Sequence, residues 1–209
     1  MSYDEHDAAW DAMYDKLSDE LYPEHKAQAI SEFTTDRLRS FYVEHPMVMR
    51  PAVKALQEGK LLQKEEHHAA AVVFFVSSVE MLFKSTLLRP VVYGLIHNEG
   101  LADVIVESLL NESGYSRYSK LLEKLFVELA DIDIRTIKRN NAKETLLKEC
   151  DSLQKLRNKI IHQGFGCSAE QSTLGLDVAV AVYNEIVNKM LYKLGLTVIE
   201  KGEIQPYKY

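Results

Sequence analysis

The residues best suited to chemistry stand together in KLRNKIIHQG, residues 155–164. Arg157 and Asn158 are adjacent, His162 follows five residues after the arginine, and Gly164 comes two later. Histidine has an unperturbed pKa of about 6.5, so it gives or takes a proton near neutral pH. A guanidinium stays charged and offers a planar fork that fits phosphate or carboxylate. Asparagine can orient either group through its amide. The set suits proton transfer beside a bound anion. A histidine in the last turn of a helix also has an ordinary use, bonding the last carbonyls and complementing the helix dipole.

The motif must be held by a helix. Apolar periodicity predicts one over about 141–161, and Gly164 stands where a left-handed C-terminal residue is wanted. At about 100° per residue, Leu146, Cys150, Leu153, Leu156, Ile160 and Ile161 form one apolar stripe, and Arg157 falls inside it. Asn158 and His162, four residues apart, share a different face at or beyond the stripe's edge. Arg157 and His162 lie about 140° apart on an ideal helix. One straight helix does not join them, so the expectation is a distorted helix end or a second copy of the chain. An arginine on a core face needs a partner, because an unpaired buried charge is expensive. Glu80, in the most apolar segment, is a candidate for that role. Lys84, one turn after Glu80, is an alternative partner for it.

The rest of the chain also reads helical. Spacing predicts helices over 4–21, from Pro23 to before Pro46, over 51–62, and over about 64–88 ending before Pro90. Shorter helices follow within 91–111, then an amphipathic one over 115–129 and a last one over about 172–194. The tail has β-branched residues around Lys201-Gly202 and suggests a small hairpin. The fold class expected is all-α, a helical bundle with additional N-terminal helices and a short C-terminal tail. The divisions expected are 1–62 as an N-terminal extension, 63–195 as the bundle and 196–209 as the tail.

The 209 residues are 46 % apolar, enough for a sizeable core. Two cysteines, Cys150 and Cys167, make no disulfide framework and no zinc spacing, which fits a reducing compartment and a cytoplasmic location. The first residues are acidic and carry no signal-peptide pattern. The uncharged run 69–79 is short for a bilayer and reads as a core helix, so no membrane association is expected. Glu65 and His68 in KEEHH lack an evident third ligand, so no metal is expected. There is no P-loop, GxGxxG or GxSxG, and no cofactor is expected.

The net charge is −6, which excludes a basic nucleic-acid binder on average. Residues 1–40 hold 10 acids and 4 bases, so the remainder is neutral overall. Residues 135–159 hold eight bases and three acids, and they lead into the motif. That local charge can attract a phosphate backbone, with Lys155 and Lys159 as candidate substrate contacts. A charge run on a helix is otherwise a solvated face. Tyr115, Arg117 and Tyr118 are weaker candidates for stacking on a base.

An all-α domain ending in a helix with Arg157, four residues and His162, with Asn158 after the arginine, resembles the HEPN superfamily. The likeness spans roughly residues 65–194; residues 1–60 match no family pattern. An acidic residue in a preceding long helix is common in that family, and Glu80 fits. The resemblance implies a metal-independent endoribonuclease working as a homodimer in a toxin–antitoxin or antiviral defence setting. It implies catalytic roles for Arg157, Asn158 and His162, and a possible antitoxin or other regulatory protein as partner. Members whose antitoxin adenylylates them carry a tyrosine two residues after the histidine. Gly164 stands there, which puts that control in doubt. Two other functions fit the same residues. A non-catalytic module would use the cleft for a nucleotide or a partner protein. A structural or antitoxin-like protein would close Arg157 against Glu80, with the acidic first 40 residues masking a basic surface.

Overall fold

The computed structural model of the chain describes residues 5–207, apart from 97, 112–119, 121, 125 and 128–131. The described part is mostly helical. Helix α1 is Glu5–Glu44, α2 Arg50–Lys64, α3 His68–Met81, α4 Arg89–Leu95, α5 Glu99–Asn111, α6 Leu146–Gln163, α7 Ala169–Val182 and α8 Asn188–Lys193. A π-helical stretch, Leu82–Leu88, joins α3 to α4, and another, Tyr183–Val187, joins α7 to α8. Residues 120, 122–124 and 126–127 are also helical, with Leu122 and Phe126 buried. The rest of the amphipathic helix expected over 115–129 lies outside the described residues, as do Tyr115, Arg117 and Tyr118.

α3 is the central helix. Its Phe75 is fully buried, and the ring is wedged between two glycines on neighbouring helices. A Cβ on Gly59 of α2 would come within 2.6 Å of that ring, and one on Gly175 of α7 within 3.2 Å. Glycine at both places lets three helices close on one aromatic ring. Ser78 of α3 donates to the Ala52 carbonyl at 2.8 Å, and Tyr42 of α1 donates to the Thr86 carbonyl at 2.6 Å. These bonds satisfy polar groups that burial would otherwise leave unpaired. Leu38, Tyr42, Met49 and Ala52 belong to the same core as Val72, Phe83 and Leu153, and so do Leu196 and Ile204 of the tail. The N-terminal helices and the tail therefore share one core with the bundle.

Three boundaries differ from the expectation. α1 runs unbroken through Pro23. The central helix continues through Pro90 to Gly94, because the π-helical stretch just before the proline shifts the hydrogen-bond pattern. Proline's missing N–H then removes one bond without stopping the helix. α6 begins at Leu146 and not near 141, where Asn141 has φ +63° in a turn and Thr145 is extended. The uninterrupted helix His68–Gly94 is long and apolar enough to cross a membrane, yet 61 % of its most apolar window is buried inside the protein.

The tail forms a two-stranded antiparallel ribbon, β1 Leu196–Val198 and β2 Ile204–Pro206, with Thr197 opposite Gln205. The Ile204 N–H donates to the Pro46 carbonyl at 2.8 Å and ties the ribbon to the α1–α2 connection.

Candidate anion site at the end of helix α6

α6 buries Leu146, Leu147, Cys150 and Leu153 and ends at Gly164, whose φ is +63°. The Gly164 N–H bonds the Ile160 carbonyl at 3.1 Å, and the Phe165 N–H reaches the Lys159 carbonyl. This is the left-handed ending that glycine permits. The following helix is fixed by a reciprocal cap, in which Ser168 Oγ accepts from the Gln171 N–H and Gln171 Oε1 accepts from the Ser168 N–H.

Arg157 is half-buried. Its Nη1 donates to Asn158 Oδ1 at 3.1 Å, and its Nε is buried with no hydrogen-bond partner among the described residues. Glu80 does not pair with it. Instead Gln154, three residues before Arg157 on α6, donates from Nε2 to Glu80 Oε1 at 3.0 Å. Among the described residues no carboxylate forms an ion pair with Arg157. Lys84, also half-buried, lies in the π-helical stretch one turn beyond Glu80. Asn158 and His162 are exposed, His162 in the final turn. The helix stays regular to Gln163, so Arg157 and His162 remain about 140° apart. The distorted end does not occur. Within one chain the structure brings Arg157 to Asn158, but not to His162.

The basic segment is less positive than its composition suggests. Arg139 grips Glu149 with two bonds, at 2.9 and 2.7 Å, and lies 3.6 Å from Asp177. Its guanidinium is held above the ordinary value chiefly by that bond to Glu149. Arg135 pairs with Asp133, Lys148 with Glu144, and Lys155 with Asp151 at 2.6 Å. Asp133 and Asp177 come from outside the segment, so its surplus of positive charge shrinks. Lys155 is exposed, where such a pair is worth little and can exchange for a phosphate. Lys159 lies 6.0 Å from the centroid of the Phe165 ring. Phe165 is exposed, and so is Ile161, which the apolar stripe places on the core face; the stripe's edge meets solvent in the last turn of the helix.

Sequence reasoning missed Gln154 and Phe165. Gln154 is one turn from Arg157 toward α3, and a polar residue beside a core stripe was the available signal. Phe165 gave none, since its place depends on the turn at Gly164. A groove of about 430 Å³ runs along α6 over Leu153, Leu156 and Leu174, and is not formed by Arg157 or His162. Among the described residues no cluster of His, Cys, Asp or Glu could hold a metal ion. Burial pushes the Cys150 thiol up, which makes it a poor nucleophile.

Comparison of the chain with family models, with curated proteins and with solved structures gives no match.

Proposed function

We propose that this chain is a metal-independent endoribonuclease of the HEPN type, acting as a homodimer in a cytoplasmic defence or toxin–antitoxin setting. One observation carries the reading. Arg157 is held half-buried beside Asn158, and among the described residues its buried Nε has no hydrogen-bond partner and its guanidinium no carboxylate. A structural arginine at such a place would be paired, because leaving a charged donor unsatisfied costs about 1–3 kcal/mol or more. An anionic ligand removes that cost. The exposed His162 on the next turn adds a proton carrier.

In the proposed reaction the 2′-oxygen of RNA attacks the adjacent phosphorus as a base removes its proton. The bond from phosphorus to the 5′-oxygen breaks, and an acid protonates that oxygen. The products are a 2′,3′-cyclic phosphate and a 5′-hydroxyl. Arg157 would stabilise charge on the phosphorane, Asn158 would hold the guanidinium plane through its 3.1 Å bond, and His162 would carry the proton. The angle between Arg157 and His162 favours a second chain, with one chain's His162 meeting its partner's bound phosphate. Lys155 and Lys159 would contact the strand. Glu80, with Lys84 nearby, would support the site through Gln154. End-group analysis tests the chemistry. RNA should yield 2′,3′-cyclic phosphate ends and DNA of the same sequence should stay intact; cleavage of both would refute it.

The same angle supports a second reading. In a non-catalytic module, Arg157 binds the phosphate of a nucleotide or the carboxylate of a partner, and His162 plays no part. Binding that depends on Arg157 alone, with no cleavage, would select it.

A further inference from the structure

A different part of the molecule also carries ligand-binding chemistry. The last turns of α1 present Arg37, Ser40, Phe41 and Glu44, and His45 follows just after the helix, across from Arg89 and Tyr93 of α4 and Asp103 of α5. Between them lies a cleft of about 610 Å³. That is within the size range of small-molecule sites. A second cleft of about 450 Å³ shares Phe41, Glu44, His45 and Arg89 and continues over Pro46, Met47 and Val48.

The wall is built from rings and fixed by hydrogen bonds. Phe41 stacks on Tyr93 with centroids 5.3 Å apart, and the exposed His45 ring lies 4.6 Å from Phe41, tilted by 52°. The Tyr93 hydroxyl donates to Asp103. Arg37 donates from Nε to the Gly94 carbonyl at 3.2 Å and from Nη2 to the Tyr93 carbonyl at 3.4 Å. Its plane is therefore set against the end of α4. Arg89 is exposed, with its guanidinium carbon 5.7 Å from the Tyr93 centroid.

Three chemistries meet in this cleft. The rings offer a face to a planar base. Ser40 and Glu44 can bond the edge of a base or a sugar hydroxyl. Arg89, beside Arg37, suits a phosphate. We propose that the cleft formed by α1, α4 and α5 binds a nucleoside 5′-phosphate, with its phosphate on Arg89 and its base against the Phe41–His45 rings. The same group occurs as a free nucleotide and at the 5′ end of an RNA strand. The site is remote in sequence from Arg157 and independent of the cleavage proposed above.

Calorimetric titration of the full chain with adenosine monophosphate, adenosine and a 5′-phosphorylated RNA trimer tests this. The monophosphate should bind saturably, one per chain. Arg89→Gln should weaken it about tenfold or more, as loss of a charged hydrogen bond implies, and should leave adenosine unchanged. Phe41→Leu should weaken both. Arg89 is exposed, so its variant keeps the fold and carries the test even if Phe41→Leu unfolds. Tighter binding of the trimer, lost in Arg89→Gln, assigns a strand end; equal or weaker binding assigns the free nucleotide. No saturable binding of the monophosphate, or binding that Arg157→Ala removes and Arg89→Gln does not, would overturn the proposal.

Discussion

Gln154 donates from Nε2 to Glu80 Oε1 at 3.0 Å, while Arg157, one turn further along the same helix, has no carboxylate partner among the described residues. The acid that lay nearest in expectation is occupied by an amide. Among the described residues the guanidinium is bonded only to its chain neighbour Asn158. The candidate site therefore rests on an arginine whose charge is not neutralised within the described residues.

Glu80→Gln should then leave RNA cleavage within about threefold of wild type, since an amide keeps a hydrogen bond worth roughly 1 kcal/mol with Gln154. Single-turnover rates read this. A loss as complete as that of Arg157→Ala would mean that Glu80 acts on the substrate directly.

Arg157→Met should not destabilise the free protein by more than about 1 kcal/mol. The change removes a buried donor that has no partner among the described residues and keeps an unbranched apolar stem. Denaturant unfolding measures it. A fall of about 3 kcal/mol or more, the size expected from breaking a buried pair, would make Arg157 structural.

Tyr93 should ionise late. Its bond to Asp103 is the main cause that lifts its phenol above the ordinary 10.0, with burial adding and Arg89 opposing. The folded value is the higher one, so this stabilisation is fully present below the unfolded value and is lost as pH rises through the folded value. Ultraviolet titration of the tyrosines should show one group moving to lower pH in Asp103→Asn. Tyr42 and Tyr183, raised by burial, should stay where they are.

Gly59→Ala should destabilise by about 1–3 kcal/mol, as overpacking of a filled core does. The new methyl would meet the Phe75 ring at 2.6 Å and the Ala71 carbonyl at 3.3 Å. Thermal unfolding measures the change, and combination with Phe75→Leu should reduce it. A more stable Gly59→Ala would mean that α2 and α3 separate easily.

Much of this was legible in the chain because it depends on local pattern. The stripe from Leu146 to Ile160 places α6, and Gly164 ends it at φ +63°. The passages through Pro23 and Pro90 were not legible. Proline is a strong stop signal, and no spacing in the chain announces the π-helical stretch Leu82–Leu88 that precedes Pro90 and lets the central helix continue. The Glu80–Arg157 pairing was a reasonable match of charges, but side-chain direction across two helices decides it, and Gln154 reaches Glu80 instead. The charge of 135–159 was overestimated because Asp133 and Asp177 are brought in by the fold. The α1–α4–α5 cleft joins residues about 60 apart in the chain, and no spacing rule announces it.

The most direct measurement is cleavage of a mixed RNA pool with EDTA present, comparing wild type, Arg157→Ala and His162→Ala. Wild type should cleave and both variants should not, with the fold of each checked by circular dichroism. Cleavage that survives His162→Ala, or folded dimeric wild type that leaves every RNA in the pool intact, would contradict it.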